Sequence, residues 1–102
     1  MRISDYEKEI IVKTAKDIFG NNTKVYLFGS RVYDDKKGGD IDLYIIPENK
    51  DKLFEKEIKF KTLLQINLGE QKIDVVLHRD FERDIEKAAL SEGVLLEWQK
   101  LS

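Results

Sequence analysis

The feature that most constrains the fold is the alternation in Asp40-Ile41-Asp42-Leu43-Tyr44-Ile45. A two-residue period defines a β-strand, because successive side chains leave opposite faces of a pleated backbone. Ile41, Leu43 and Ile45 make a core face, which puts Asp40, Asp42 and Tyr44 together on the other. The strand is expected over Ile41 to Ile46, closed by Pro47. Its rise sets the Cα atoms of Asp40 and Asp42 about 6.6 Å apart. Ionised groups are costly to bury unless paired. The sheet carrying this strand therefore needs one face that is not core.

The rest of the chain supplies the covering layer. Ser4-Asp5-Tyr6-Glu7 has the spacing of a capping box, in which side chains satisfy two orphan backbone donors at a helix start. Tyr6, Ile10, Thr14 and Ile18 follow at intervals of four, with Ile11, Ala15 and Phe19 beside them, so a first helix is expected from about 4 to 19. Val25 to Phe28 predicts a short buried strand ended by Gly29, with one short helical turn after it. Asp34 to Gly39 reads as a polar loop in which Lys36 and Lys37 are solvated. A second helix spans Asp51 to about Leu68 with Leu53/Phe54, Ile58, Leu64 and Leu68 inward. A third strand covers Ile73 to Leu77. Asp80 is expected to cap a last helix from Phe81 to about Leu90, ended by Gly93. The tail, Val94 to Leu101, can return as a strand or a helical turn. This order predicts an α/β fold, a small mixed sheet with helices mainly on one face, in a single domain over residues 1–102.

Composition excludes several classes. There is no cysteine, hence no disulfide and no thiolate metal site. Basic and acidic residues number 18 and 20, for a net charge of −2, which argues against direct nucleic-acid binding. The opening MRISDYEKEI has no apolar run of signal-peptide type, and no segment approaches the ~20 apolar residues of a membrane span. The expected location is cytoplasmic, with no membrane partner. The charged fraction of 37% suits either a hot environment or a small domain with much surface.

The chemistry sits on the open face. In the third strand Ile73, Val75 and Leu77 are the core row, leaving Asp74 on the other side. If the two strands are neighbours, Asp40, Asp42 and Asp74 share one surface. Three such carboxylates repel one another unless a cation sits among them. Their hard oxygen donors favour Mg²⁺, with Mn²⁺ also suitable. Two such ions form the arrangement that serves in-line displacement at phosphorus. Gly29, lacking a Cβ, lets a ligand approach the backbone. Ser30 adds a hydroxyl and Arg31 a cation for phosphate oxygens. A nucleoside triphosphate is the ligand that these two halves imply together.

Gly29-Ser30, nine further residues, Asp40-Ile41-Asp42, and Asp74 on a later strand resemble the signature of the polymerase-β-like nucleotidyltransferases. In size the chain is similar to the minimal nucleotidyltransferases (MNT proteins), and in particular to MNT antitoxins paired with HEPN-domain toxins. Ser or Thr is frequent in that family where Gly39 stands, and a second arginine where Tyr33 stands. The resemblance implies a polymerase-β-like core, two Mg²⁺ ions on Asp40, Asp42 and Asp74, and ATP held at Gly29, Ser30 and Arg31. It further implies transfer of AMP to a tyrosine hydroxyl of a HEPN RNase toxin, with release of pyrophosphate. Occlusion of the partner without chemistry, or transfer to a small molecule or RNA end with another subunit's help, are the alternatives. His78 reads as an exposed residue without a catalytic part. Tyr6, Tyr26 and Tyr44 read as packing residues, and Trp98 as the anchor of the tail or the mark of a partner surface.

Overall fold

A computed structural model describes residues 1–35 and 38–98. Lys36 and Lys37, and the tail beyond Trp98, lie outside the described residues. The elements are α1 (Asp5–Phe19), β1 (Lys24–Phe28), a 3-10 turn (Gly29–Val32), β2 (Ile41–Ile46), α2 (Leu53–Leu68), β3 (Ile73–Leu77), α3 (Asp84–Glu92) and β4 (Val94–Leu95). The sheet has the order β3-β2-β1-β4. β1 runs antiparallel to β2 and β4, whereas β2 and β3 are parallel. The α/β class with a small mixed sheet is thus as expected. The parallel pair requires a crossover, and α2 supplies it.

α1 begins as its capping box dictates. Ser4 Oγ accepts from the Glu7 N–H at 3.0 Å, and Glu7 Oε1 accepts from the Ser4 N–H at 2.8 Å. The buried stripe is Ile11, Val12, Ala15 and Phe19. It is rotated from the expected Tyr6-Ile10-Thr14-Ile18 row, and Tyr6 is exposed rather than packed. In α2 the inward residues are Phe60 and Leu64, flanked by half-buried Leu53 and Leu68. Phe54 and Ile58, expected inward, face solvent, and so does Ile66. The reason is that α2 must meet both the sheet and α1: Phe60 meets Phe19 edge to face, ring centroids 5.7 Å apart. These residues close on Val25, Leu27, Ile41, Leu43 and Ile45 to form the main core. Full burial of each such side chain contributes about 1.5–3 kcal/mol.

The opposite face is not wholly open. Tyr44, alternating with the core row, is fully buried, as are Glu86 and Ala89 of α3. α3 therefore covers the Tyr44 half of this face, and the half that carries Asp42 and Asp74 is left half-exposed. α3 itself begins at Asp84, not Phe81, with Arg83 at the N-cap position and no side-chain cap bond. Asp80 is not its cap, because its Oδ1 is used by the Glu82 N–H at 2.9 Å in the preceding turn.

The tail returns as a strand. Val94 and Leu95 pair with Leu27 and Tyr26, and the Leu96 N–H donates to the Val25 carbonyl at 2.8 Å. Leu96 is buried and Trp98 packs on the core, with Lys13 Nζ 5.2 Å from the Trp98 ring centroid. Trp98 is thus a tail anchor. Among the described residues no helix is long and apolar enough to cross a membrane.

Candidate active site

Strand register decides which carboxylates meet. Phe28, Asp42 and Asp74 form one row across β1, β2 and β3. Asp42 and Asp74 are therefore direct neighbours on the face away from the main core. Burial pushes the Asp42 carboxyl above its ordinary value, and the charges of Asp74 and Asp40 add to that. A hydrogen bond with Asp74 acts in the same direction, and only Lys72 opposes it. A carboxylate pair under this strain gains from any cation placed beside it.

Asp40 is the third carboxylate of this face, close enough that its charge acts on Asp42. It lies just before β2, where the Ile41 N–H donates to the Lys72 carbonyl at 3.0 Å. Its Oδ2 is 3.4 Å from Lys72 Nζ. Among the described residues, no three His, Cys, Asp or Glu side chains are gathered as a metal-holding group.

Two glycines shape the rest of the site. Gly29 has φ +77°, and a Cβ there would collide with Asp42 Oδ2. The space that Gly29 leaves is thus filled by the Asp42 carboxylate, so this glycine makes room for a site residue as well as for the turn. Gly39 has φ +93°, and a Cβ there would collide with Ser30 Oγ. The residue in place of the frequent Ser or Thr is explained: the left-handed backbone and the nearness of Ser30 both require glycine. Gly39→Ser is expected to cost about 1–3 kcal/mol in strain and to displace Ser30. Urea unfolding measures the first effect, and a weakened affinity for nucleotide the second.

The turn after β1 is a single 3-10 turn starting at Gly29. Its leading N–H groups have no partners within the turn, which is the donor set available to an anion. Ser30 is held by its carbonyl, which accepts from Arg2 at 3.0 Å and from the Tyr33 N–H at 3.2 Å. Arg31 faces inward along this frame. Its Nε donates to the Gly39 carbonyl at 3.1 Å and a terminal nitrogen to the Arg2 carbonyl at 3.0 Å. The other terminal nitrogen is 3.5 Å from Gln71 Oε1. Arg31 thereby ties the first residues, the Gly39 turn and the start of β3 together.

Sequence reasoning missed a second polar cluster. Glu86, fully buried, accepts from Tyr44 Oη at 2.6 Å, His78 Nδ1 at 2.6 Å and Arg83 Nε at 2.6 Å. It also accepts from the backbone N–H groups of Arg79 and Asp80, at 3.1 and 2.9 Å. Burial alone would raise the Glu86 carboxyl, but the donors of Tyr44, Asp80, His78 and Arg83 prevail and hold it far below the usual range. Burial and the Glu86 bond push the Tyr44 phenol well up. His78 is not exposed: it is mostly buried and stacked on Phe81 with centroids 3.9 Å apart. The available signal was Tyr44, a hydroxyl between branched apolar residues, with Glu86 three residues before Ala89 on one helix face.

A turn lined by donors beside anionic strand ends is what transfer at phosphorus requires, so the arrangement suits an enzyme of nucleotidyl transfer. The family model described as Polymerase beta, Nucleotidyltransferase matches residues 11–100, and the chain belongs to that family. None of the curated proteins matches it. Nucleotidyl transfer in general is accordingly its chemistry.

Such enzymes use a nucleoside triphosphate and divalent metal. The donor set fits a hard cation: Asp42 and Asp74 offer adjacent oxygens, and the raised Asp42 carboxyl marks a negative site that lacks charge balance.

Proposed function

We propose that the protein is an adenylyltransferase that carries AMP from ATP to a tyrosine hydroxyl of a HEPN-domain RNase toxin, acting as its antitoxin. The observation that carries the chemistry is the direct pairing of Asp42 with Asp74 beside Gly29. Asp42 and Asp74 would hold Mg²⁺, with Asp40 as a further ligand once it leaves Lys72. When bound, the metal supplies Lewis-acid neutralisation of charge on the phosphates.

The chain's own residues do the rest. The backbone of the Gly29–Val32 turn and the Ser30 hydroxyl hold the β- and γ-phosphates. Arg31 fixes that turn and has N–H groups left over on its terminal nitrogens for phosphate. Asp74 accepts the proton of the attacking hydroxyl. The oxygen–Pα bond forms as the bond from Pα to the bridging oxygen breaks, and pyrophosphate leaves with that electron pair. Holding the groups in line accounts for most of the acceleration.

One feature supports an acceptor carried by a partner protein. α2 leaves Phe54, Ile58 and Ile66 exposed, apolar surface of the kind that partners cover. The test is incubation with labelled ATP, Mg²⁺ and a HEPN toxin. Label on a toxin tyrosine and loss of its RNase activity are expected. No label, or equal labelling by Asp42→Asn, contradicts the proposal. The exposed α2 face also permits a reading by occlusion alone, in which Asp42→Asn would protect as well as the native chain does.

A further inference from the structure

The face row that carries the carboxylate pair also carries a cation. Asp42 stands opposite Asp74 in the β2–β3 register. One step earlier, Ile41 bonds the Lys72 carbonyl, so Asp40 and Lys72 are the preceding neighbours on this face. The ammonium of Lys72 is 3.4 Å from Asp40 Oδ2. Lys72 is fixed at its backbone, yet 72% of its side chain is exposed. Such a side chain can swing away at small cost, because exposed ion pairs hold weakly.

We propose that Lys72 is a built-in counter-cation of this cluster, competing with the divalent ion for Asp40 until the phosphates of a nucleotide draw its ammonium away. A divalent ion that binds without nucleotide must displace a positive charge already there. Phosphates arriving with the ion give that charge a new partner. The nucleotide-free protein therefore binds metal weakly, and metal and nucleotide load together. The two bindings help each other, and linkage makes that help reciprocal. Lys72 is a positioning residue in this scheme, acting through Asp40 and on the order of loading. The inference rests on the reading of Asp40, Asp42 and Asp74 as metal ligands.

The test is calorimetric titration of Mn²⁺ into the nucleotide-free native chain, Lys72→Gln and Lys72→Arg. Lys72→Gln is expected to bind Mn²⁺ about three- to tenfold more tightly than the native chain, the size that one nearby charge in a solvated site gives. Lys72→Arg should bind as the native chain does. With a non-hydrolysable ATP analogue present, the advantage of Lys72→Gln should vanish. Equal or weaker Mn²⁺ binding by Lys72→Gln overturns the counter-cation role and leaves the metal site standing. Absence of Mn²⁺ binding by all three chains, with and without the analogue, overturns the metal site itself.

Discussion

Asp42→Asn is expected to abolish nucleotidyl transfer while making the metal-free fold more stable. Activity should fall about a thousandfold, the scale on which loss of a preorganised charge-bearing group acts at a reacting phosphate. Stability should rise by about 0.5–1 kcal/mol, a modest gain because solvent screens a half-exposed group. The sign follows from the charges: Asp42 is raised by burial and by Asp74 and Asp40, so its ionised form is less at ease folded than unfolded. The favourable contribution of its proton is fully present below its unfolded value near 3.8. It is lost as pH rises through the higher folded value. A neutral amide of the same shape keeps the protonated benefit at neutral pH. Parallel assays of transfer and of thermal unfolding without metal check both halves. Loss of stability with loss of activity would show Asp42 to be a structural residue.

The opposite behaviour is expected at Glu86. Glu86→Ala removes the acceptor for three side chains and two backbone N–H groups, leaving the buried Tyr44 hydroxyl and the mostly buried His78 with only each other. The expected loss is about 3 kcal/mol, as for one member of a buried ionic network. Its pH signature is also opposite. The Glu86 carboxyl is lowered despite burial by its donors, so its contribution is present above its unfolded value near 4.5. It is lost progressively as pH falls below that. Urea unfolding of the native chain should therefore weaken steadily on acidification below pH about 4.5, and the slope should flatten in Glu86→Gln. An unchanged slope in Glu86→Gln would place the acid sensitivity elsewhere.

These two carboxylates show what sequence makes legible. Asp42 announced itself because a strand's two-residue period states which face a side chain leaves by, and Asp74 obeyed the same rule one strand over. Register and neighbour order then paired them. The capping box of α1 was legible for a similar reason: it is a local exchange of hydrogen bonds within four residues. Phe54 and Ile58 were not, because the helix period gives a stripe only to within one position, and contact with Phe19 of α1 turned Phe60 inward beside the expected Leu64. Glu86 was hidden more deeply. Its burial depends on Tyr44, His78 and Arg83 arriving from other elements, and a glutamate in an exposed-looking helix carries no mark of that. Gly39 lay between these cases, since the departure from Ser or Thr was visible but its cause, Ser30 Oγ, was not.

The proposed reaction is group transfer from the α-phosphorus, with Asp42 and Asp74 at the site. The most direct measurement compares ATP labelled at the α-phosphorus with ATP labelled at the γ-phosphorus, each incubated with the chain, Mg²⁺ and a HEPN toxin. Label on the toxin is expected from α-labelled ATP only, and none when Asp74→Asn replaces the native chain. Label from γ-labelled ATP, or α-label undiminished by Asp74→Asn, would contradict it.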